Sequence, residues 1–321
     1  MSSTYRLSFE FAATDDRRTI DDARWSLSGL DPSFRVRAGS FGASDGEKIP
    51  YRLWKANEPR ATVLLLHGAT DYSAAFDEIG PQFAARGLTA LAIDQRGFGA
   101  TSTRGRWRGR RRMIRDAIES VLYLRMRFGE HLPAFIVGES MGAALAVHTA
   151  AQAPDVGLAG IVLVAPGAIS GTWRRLVGHT LSRVLRFFMP HSSFIIERIS
   201  AWEFTPGSAI RLLSDPMVLR RVRPATLFGL FKLSRSAVDE AGHVSVPSLT
   251  MIGGKEDLLR EDCIRRLYNG LSGDKQWARF KNGPHLLLHW KNRDKVLSRL
   301  FAWTDGQLAR RPFNGPQPAN P

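Results

Sequence analysis

Cysteine is almost absent: Cys263 is the single thiol in 321 residues, so no disulfide can form within the chain. That suits a reducing compartment, and a cytoplasmic location is expected. Long apolar runs are also missing. No stretch approaches the roughly 18 apolar residues of a membrane-spanning helix. The opening residues, MSSTYRLSFEFAATDDRRTIDD, lack a basic segment followed by an apolar one, so no secretory signal is expected. Acidic residues are scarce relative to basic ones, 30 against 45, for a formal net charge of +15.

Part of that charge is concentrated. TRGRWRGRRRMIR carries Arg104, Arg106, Arg108, Arg110, Arg111, Arg112 and Arg115 without one acid. Such a run is first of all a solvated basic face. An anionic lipid surface is the next reading, ahead of an anionic substrate or nucleic acid. No recognised nucleic-acid motif accompanies it, so nucleic-acid binding is not expected.

Residues 1–33 have little apolar periodicity and read as an N-terminal arm. Phe34–Ser40 and Pro50–Trp54 read as strands around the turn-rich GASDGEK. Then ATVLLL (61–66), Leu88–Ile93, Ala134–Val137 and GIVLV (160–164) form uninterrupted apolar runs, as strands covered on both faces do. Helical patterns at 74–86, 111–128 and 141–151 separate them. This alternation predicts an α/β fold with a doubly wound, mostly parallel sheet. It stops over 166–245, a segment of irregularly spaced aromatics that reads as a helical insertion. It resumes with Val246–Ile252, a helix near 261–270, a strand at Gln276–Phe280 and a helix near 285–303. The Pro-rich tail, 305–321, is expected to be disordered.

Two stretches match G-x-S-x-G: Gly42-Ala43-Ser44-Asp45-Gly46 and Gly138-Glu139-Ser140-Met141-Gly142. Composition alone yields about 0.2 matches, so context must decide. Ser44 lies in a turn followed by a strand. Ser140 follows the buried strand AFIV and precedes the small-residue helix MGAALAVHTAA, the setting of a nucleophile elbow. Its glycines leave room for the neighbouring backbone, and the helix start favours an anion. A serine N-cap is the structural alternative.

A serine nucleophile needs a base, and in this chain order the acid and then the histidine follow it. His285, in the loop after the strand Gln276–Phe280, is the candidate base; His289 reads as a packed or surface histidine. The acid is expected in MIGGKEDLL. Asp257 is favoured by its shorter side chain and the Gly254-x-x-Asp257 form, with Glu256 as the alternative; it would fix the histidine's tautomer. The backbone N–H groups of Met141 and Ala69 are the expected oxyanion donors, and His67 reads as a loop-ordering residue. No metal and no cofactor enters this chemistry.

LLLHGATDYSAAF, AIDQRGFGATSTRGRW, GESMGAAL, IVLVAPG, IGGKEDLL and NGPHLLLH together resemble the serine α/β-hydrolase superfamily, within it the monoacylglycerol lipase, lysophospholipase and serine aminopeptidase-like group. The likeness spans roughly Phe34–Trp303. It implies Ser140, Asp257 and His285 as a triad, Ala69 and Met141 as oxyanion donors, a hydrolase core over 34–165 and 246–304, and a helical cap at 166–245. One departure is Ala143, where the family often has a second glycine. The expected activity is ester hydrolysis through an acyl-enzyme, the substrate a small ester, a single-chain lipid such as a monoacylglycerol or lysophospholipid. A peptidase or thioesterase would use the same groups, and a non-catalytic binding protein is the alternative of another class. Dehalogenases and epoxide hydrolases would need a carboxylate at position 140. The cap has eleven basic and five acidic residues. WRRLVGHTLSRVLRFFMP within it can form a basic amphipathic helix. Peripheral contact with an anionic membrane through the cap or Arg104–Arg115 is therefore expected beside packing on the protein's own core.

Overall fold

The computed structural model describes residues 36–169, 194–195 and 201–310. The N-terminal arm, the basic amphipathic stretch 173–190 and the tail beyond 310 lie outside the described residues. In chain order the elements are β1 (Arg37–Gly42), β2 (Lys48–Trp54), β3 (Ala61–Leu66), α1 (Gly80–Ala84), β4 (Leu88–Ile93), α2 (Arg110–Phe128), β5 (Ala134–Glu139), α3 (Met141–Gln152), β6 (Leu158–Val164) and the two-residue strand β7 (Phe194–Ile195). Then follow α4 (Pro206–Ser214), the two-residue strand β8 (Arg221–Val222), α5 (Pro224–Glu240), β9 (Ser248–Gly253), α6 (Glu261–Gly270), β10 (Lys275–Phe280) and α7 (Arg293–Ala309).

The uninterrupted apolar runs became the sheet's interior. β3, β4, β5, β6 and β9 are buried along their whole length, while β1 and β10 close the edges with half-exposed residues. Strand order is β1-β2-β4-β3-β5-β6-β9-β10. β2 pairs antiparallel with both β1 and β4, and every other pair in this sheet is parallel. This is the α/β-hydrolase fold, as expected. Alternate side chains feed two cores. Leu64, Leu66, Leu91, Ile136 and Leu163 face α2, α3, α5 and α6. Val63, Leu65, Ala90, Val137 and Val164 face α1 and α7.

Three expectations shift. The pattern at 74–86 is two short pieces, a 3₁₀ turn at Ser73–Phe76 and α1, because Pro81 has no N–H to continue a helix and instead opens a new one. α7 runs to Ala309, past the expected limit at 304, with Thr304 and Gln307 buried. The insertion expected at 166–245 is not all cap. Leu233, Ala237, Ala241 and Val244 are fully buried in the same core as α2 and α3, so α5 is part of the helical layer.

The chain reverses its winding direction beside β3: β4 lies to one side and β5 to the other. Leu66 at the end of β3 is level with Gly138 at the end of β5. The loops leaving these two strands therefore emerge together, at the switch point where an open α/β sheet forms its crevice.

Candidate active site

The first loop is the elbow. Ser140 has φ 53° and ψ −109°, a region costly for a residue with a side chain, of order 1–3 kcal/mol. The surroundings hold it there. Its N–H donates to the Val164 carbonyl (2.8 Å), and its carbonyl accepts from the Gly167 N–H (2.9 Å). A Cβ on Gly138 would lie 2.3 Å from the Gly142 carbonyl oxygen, and one on Gly142 would lie 2.0 Å from that of Leu66. Both positions therefore demand glycine. Among the described residues no hydrogen bond from the Ser140 side chain caps α3. The decoy serine has a structural task instead: Ser44 Oγ donates to Glu119 Oε1 (2.6 Å), tying the β1–β2 turn to α2.

Ser140 Oγ lies 2.9 Å from His285 Nε2, and His285 Nδ1 lies 2.7 Å from Glu256 Oε2. His285 and Glu256 are both buried. The structure thus brings Ser140 and His285 together as expected but replaces the expected acid. Asp257 is exposed, and Glu256 meets the histidine. The loop after β9 supplies the reason. It folds so that the N–H groups of Leu258 (3.1 Å) and Leu259 (2.9 Å) both donate to Glu256 Oε1, leaving Oε2 aimed at the ring. The longer side chain spans the gap. The neighbouring loop is stitched alongside by Gly254 N–H to the Phe280 carbonyl (2.7 Å) and Lys255 N–H to the Gly283 carbonyl (2.9 Å). His285 is not at the mouth of a helix, because 285–292 form turns and α7 begins only at Arg293.

The loop after β3 passes beside the elbow: a Cβ on Gly68 would lie 3.7 Å from the Ser140 Cβ. Ala69 follows directly. His67 orders this loop, as expected. Its Nδ1–H donates to the Gly68 carbonyl (2.8 Å), and its Nε2 accepts from the Gln95 N–H (3.0 Å). Those bonds define a neutral ring, and burial pushes His67 below the usual histidine value. The DQRGFG stretch is structural throughout. Asp94 accepts from the N–H groups of Ser73 and Ala100, Gln95 Nε2 donates to the His67 carbonyl, and Arg96 forms a bidentate pair with buried Asp116. Met141, at the first position of α3, has an N–H that the helix cannot satisfy.

A second buried cluster lies behind this chain. Glu139, next to the motif serine, accepts at Oε1 from the Leu288 N–H (2.9 Å), and its Oε2 lies 3.3 Å from His289 Nε2. That nitrogen is also 3.9 Å from Asp71 Oδ2. Asp71 pairs with Arg211 of α4, and Ser208 of the same helix lies 3.2 Å from His289 Nδ1. His289, read as packed or surface, is packed. Glu139, Asp71 and Arg211 drew no attention in the sequence. The one available signal was a carboxylate inside an otherwise apolar strand-to-helix junction.

The basic run is partly consumed. Arg112 pairs with Asp45 and Asp116, and Arg115 with Glu119, while Arg104 donates to the Pro216 carbonyl. Arg106, Arg108 and Arg111 remain exposed.

Comparison with known proteins fits this architecture. A monoacylglycerol lipase of Mycolicibacterium smegmatis is 28% identical over 280 residues, 84% of this chain and 97% of that protein. Phospholipase YtpA of Bacillus subtilis is 24% identical over 257 residues, 78% of this chain and 98% of that protein. A soluble variant of monoglyceride lipase from Saccharomyces cerevisiae, solved with a substrate analog, superposes with a TM-score of 0.68 at 19% identity, covering 85% of this chain and 95% of the other. The family model described as serine aminopeptidase, S33 (Hydrolase_4) matches residues 57–292, the parallel strands β3, β4, β5, β6, β9 and β10 with the Ser140, Glu256 and His285 loops included, and the chain belongs to that family of α/β-fold hydrolases.

Proposed function

We propose that the protein is a serine ester hydrolase acting on a single-chain lipid, a monoacylglycerol or a lysophospholipid. The observation that carries the chemistry is the continuous hydrogen-bond chain Ser140 Oγ, His285, Glu256, with 2.9 Å and 2.7 Å between heavy atoms. Ser140 Oγ attacks the ester carbonyl as His285 Nε2 takes its proton. The Ala69 and Met141 N–H groups receive the developing oxyanion. Collapse of the tetrahedral intermediate breaks the ester C–O bond. The leaving alcohol departs with the proton from His285, and Ser140 keeps the acyl group. Water, deprotonated by the same nitrogen, then releases the carboxylic acid and restores Ser140. Glu256 holds the Nδ1–H tautomer and stabilises the imidazolium.

The lipid part of the reading draws on the lipases and the phospholipase among the similar proteins, and on the inserted segment following β6, read as a cap over the acyl pocket. Among the described residues no helix is long and apolar enough to cross a membrane. A lipid substrate would then be reached at a surface, and the exposed Arg106, Arg108 and Arg111 supply a positive face for one. An exopeptidase would need a carboxylate ready for a substrate ammonium. Of the acids on the site's own described loops, Glu139, Asp71 and Glu256 are each engaged already, and Asp257 faces solvent, away from His285.

The test combines a fluorophosphonate probe with a substrate panel. Wild-type protein should be labelled and Ser140→Ala should not. Turnover of p-nitrophenyl esters should favour chains above C6, alongside release of fatty acid from monoacylglycerol or lysophosphatidylcholine. Equal labelling of both proteins defeats the serine reading. Turnover of aminoacyl amides above that of any ester defeats the lipid reading.

A further inference from the structure

Three consecutive residues of the loop after β3 are each held by the inserted segment. The Leu219 N–H donates to the Thr70 carbonyl (2.8 Å). Arg211 Nη1 donates to Asp71 Oδ1, which also accepts from the Tyr72 N–H (2.8 Å). The Tyr72 hydroxyl donates to Asp215 Oδ2 (2.6 Å). Tyr72 and Ala74 also pack against Val218 and Met217. The segment 211–219 is thus laid along loop residues 70–74, polar bond by polar bond. The loop needs holding: Thr70 has φ 72°, a left-handed conformation that a β-branched residue adopts only under constraint. Thr70 directly follows Ala69.

The clamp is not isolated from the elbow. Asp71 and Arg211 both approach His289, whose other carboxylate neighbour is Glu139, the residue before Ser140. Arg211 Nη2 lies 3.4 Å from His289 Nδ1. All four groups are largely buried, so their mutual geometry is weakly screened and costly to break.

We infer that Arg211, Asp215 and Tyr72 are positioning residues that set the oxyanion loop, so that the inserted segment governs the rate of the chemical step as well as access to it. The inference rests on the Ser140 reading and deepens it. An oxyanion donor acts only when fixed where the charge will develop, and a displacement of about 1 Å can cost 100-fold in rate. Releasing the clamp should therefore weaken binding of the tetrahedral oxyanion and leave the ground-state ester largely unaffected.

The test uses the full-length protein with p-nitrophenyl butyrate, whose short chain makes few pocket contacts, and an aryl trifluoromethyl ketone, which adds to the serine and places an oxyanion in the hole. Arg211→Met should lower kcat on the order of 10- to 100-fold with KM changed less than about threefold, and weaken ketone inhibition by the same factor as kcat/KM. Arg211→Lys, which keeps a cation for Asp71, should recover part of both. Tyr72→Phe removes one hydroxyl and should show the same proportionality at a smaller scale, on the order of threefold to tenfold. It therefore decides the matter if Arg211→Met does not fold. Folded variants with wild-type kcat and ketone affinity, or with losses in KM alone, overturn the inference. Fluorophosphonate labelling of the wild type separates the two levels. Unlabelled wild type removes the Ser140 reading and the clamp with it; labelled wild type with indifferent variants removes the clamp alone.

Discussion

Glu256 Oε2 lies 2.7 Å from His285 Nδ1, while Asp257, one residue later, is exposed to solvent. Two backbone N–H groups hold the other Glu256 oxygen, so the carboxylate is fixed as well as close. Glu256→Gln keeps the shape but presents an amide that can no longer stabilise the imidazolium. It should lower kcat for a short ester by about 10³- to 10⁴-fold. Asp257→Asn should stay within about twofold of wild type. Stopped-assay kinetics on the two purified variants decide between them: a large loss at Asp257 with little at Glu256 would restore the expectation from sequence.

Glu139 is a second buried carboxylate in contact with the segment that carries His285. Its Oε1 receives the Leu288 N–H and its Oε2 faces His289, so it joins the elbow to the segment that carries His285. Glu139→Ala leaves a buried N–H and a buried histidine without their acceptor, at a cost of about 2–4 kcal/mol in stability. It should lower kcat on the order of tenfold to 100-fold as the His285 loop drifts. Glu139→Gln retains one acceptor for Leu288 and should lose clearly less of both. Urea midpoints and ester kinetics on the pair measure this; an alanine variant as stable and active as wild type would show that Glu139 only fills space.

Why some of this was legible and some not follows from the residues. β3, β4, β5 and β6 showed through because parallel strands covered on both faces need apolar side chains at every position, and no surface periodicity interrupts them. Ser140 directly follows the fully buried β5, whereas His285 comes a short loop after the half-exposed edge strand β10, where chain order rather than burial singled it out. The choice between Glu256 and Asp257 was lost because it depends on how the chain folds back to place two N–H groups on one oxygen. The packing of α5 on the main core was not legible because its buried stripe includes Thr226, Gly229, Leu233 and Ala237, mostly small or polar, which the apolar pattern does not register. The bonds from residues 211–219 to residues 70–72 link positions about 140 apart in the chain, and no local pattern carries that information.

The exposed arginines make a separate prediction. Arg112 and Arg115 are paired within the fold, whereas Arg106, Arg108 and Arg111 face solvent. Replacing those three by Gln should lower binding to vesicles with 30% phosphatidylserine by on the order of 100-fold, at about 1 kcal/mol per lost cation near an anionic surface. Turnover of a soluble short ester should be unchanged. Co-sedimentation at 50 and 300 mM salt provides the check, since an electrostatic contact weakens with screening. Equal, salt-independent sedimentation of both proteins would remove the electrostatic contribution and leave any surface contact to apolar groups.

Two buried histidines set the pH dependence of stability. His67 and His148 are both fully buried, and burial holds each below the usual value of 6.5. His67 Nε2 accepts the Gln95 N–H, so a second ring proton would oppose an existing donor. In the unfolded chain both rings take up a proton near pH 6.5. The unfolded state therefore binds more protons between that pH and the lowered folded values, and stability must fall as pH drops through 6.5. The slope is up to about 1.4 kcal/mol per pH unit for each ring. Glu78 acts in a lower window. Burial pushes it up, but hydrogen bonds from Arg293, Ser208 and Thr205 outweigh that and leave it below its usual 4.5, so its contribution is lost only as pH falls below 4.5. Urea midpoints at pH 7.5, 6.5 and 5.5 should therefore decline, and His148→Gln, which needs no proton on unfolding, should have a shallower decline. A flat profile from pH 7.5 to 5.5 would mean that neither ring resists protonation more in the folded protein than in the unfolded chain, against the donor–acceptor pattern that surrounds His67.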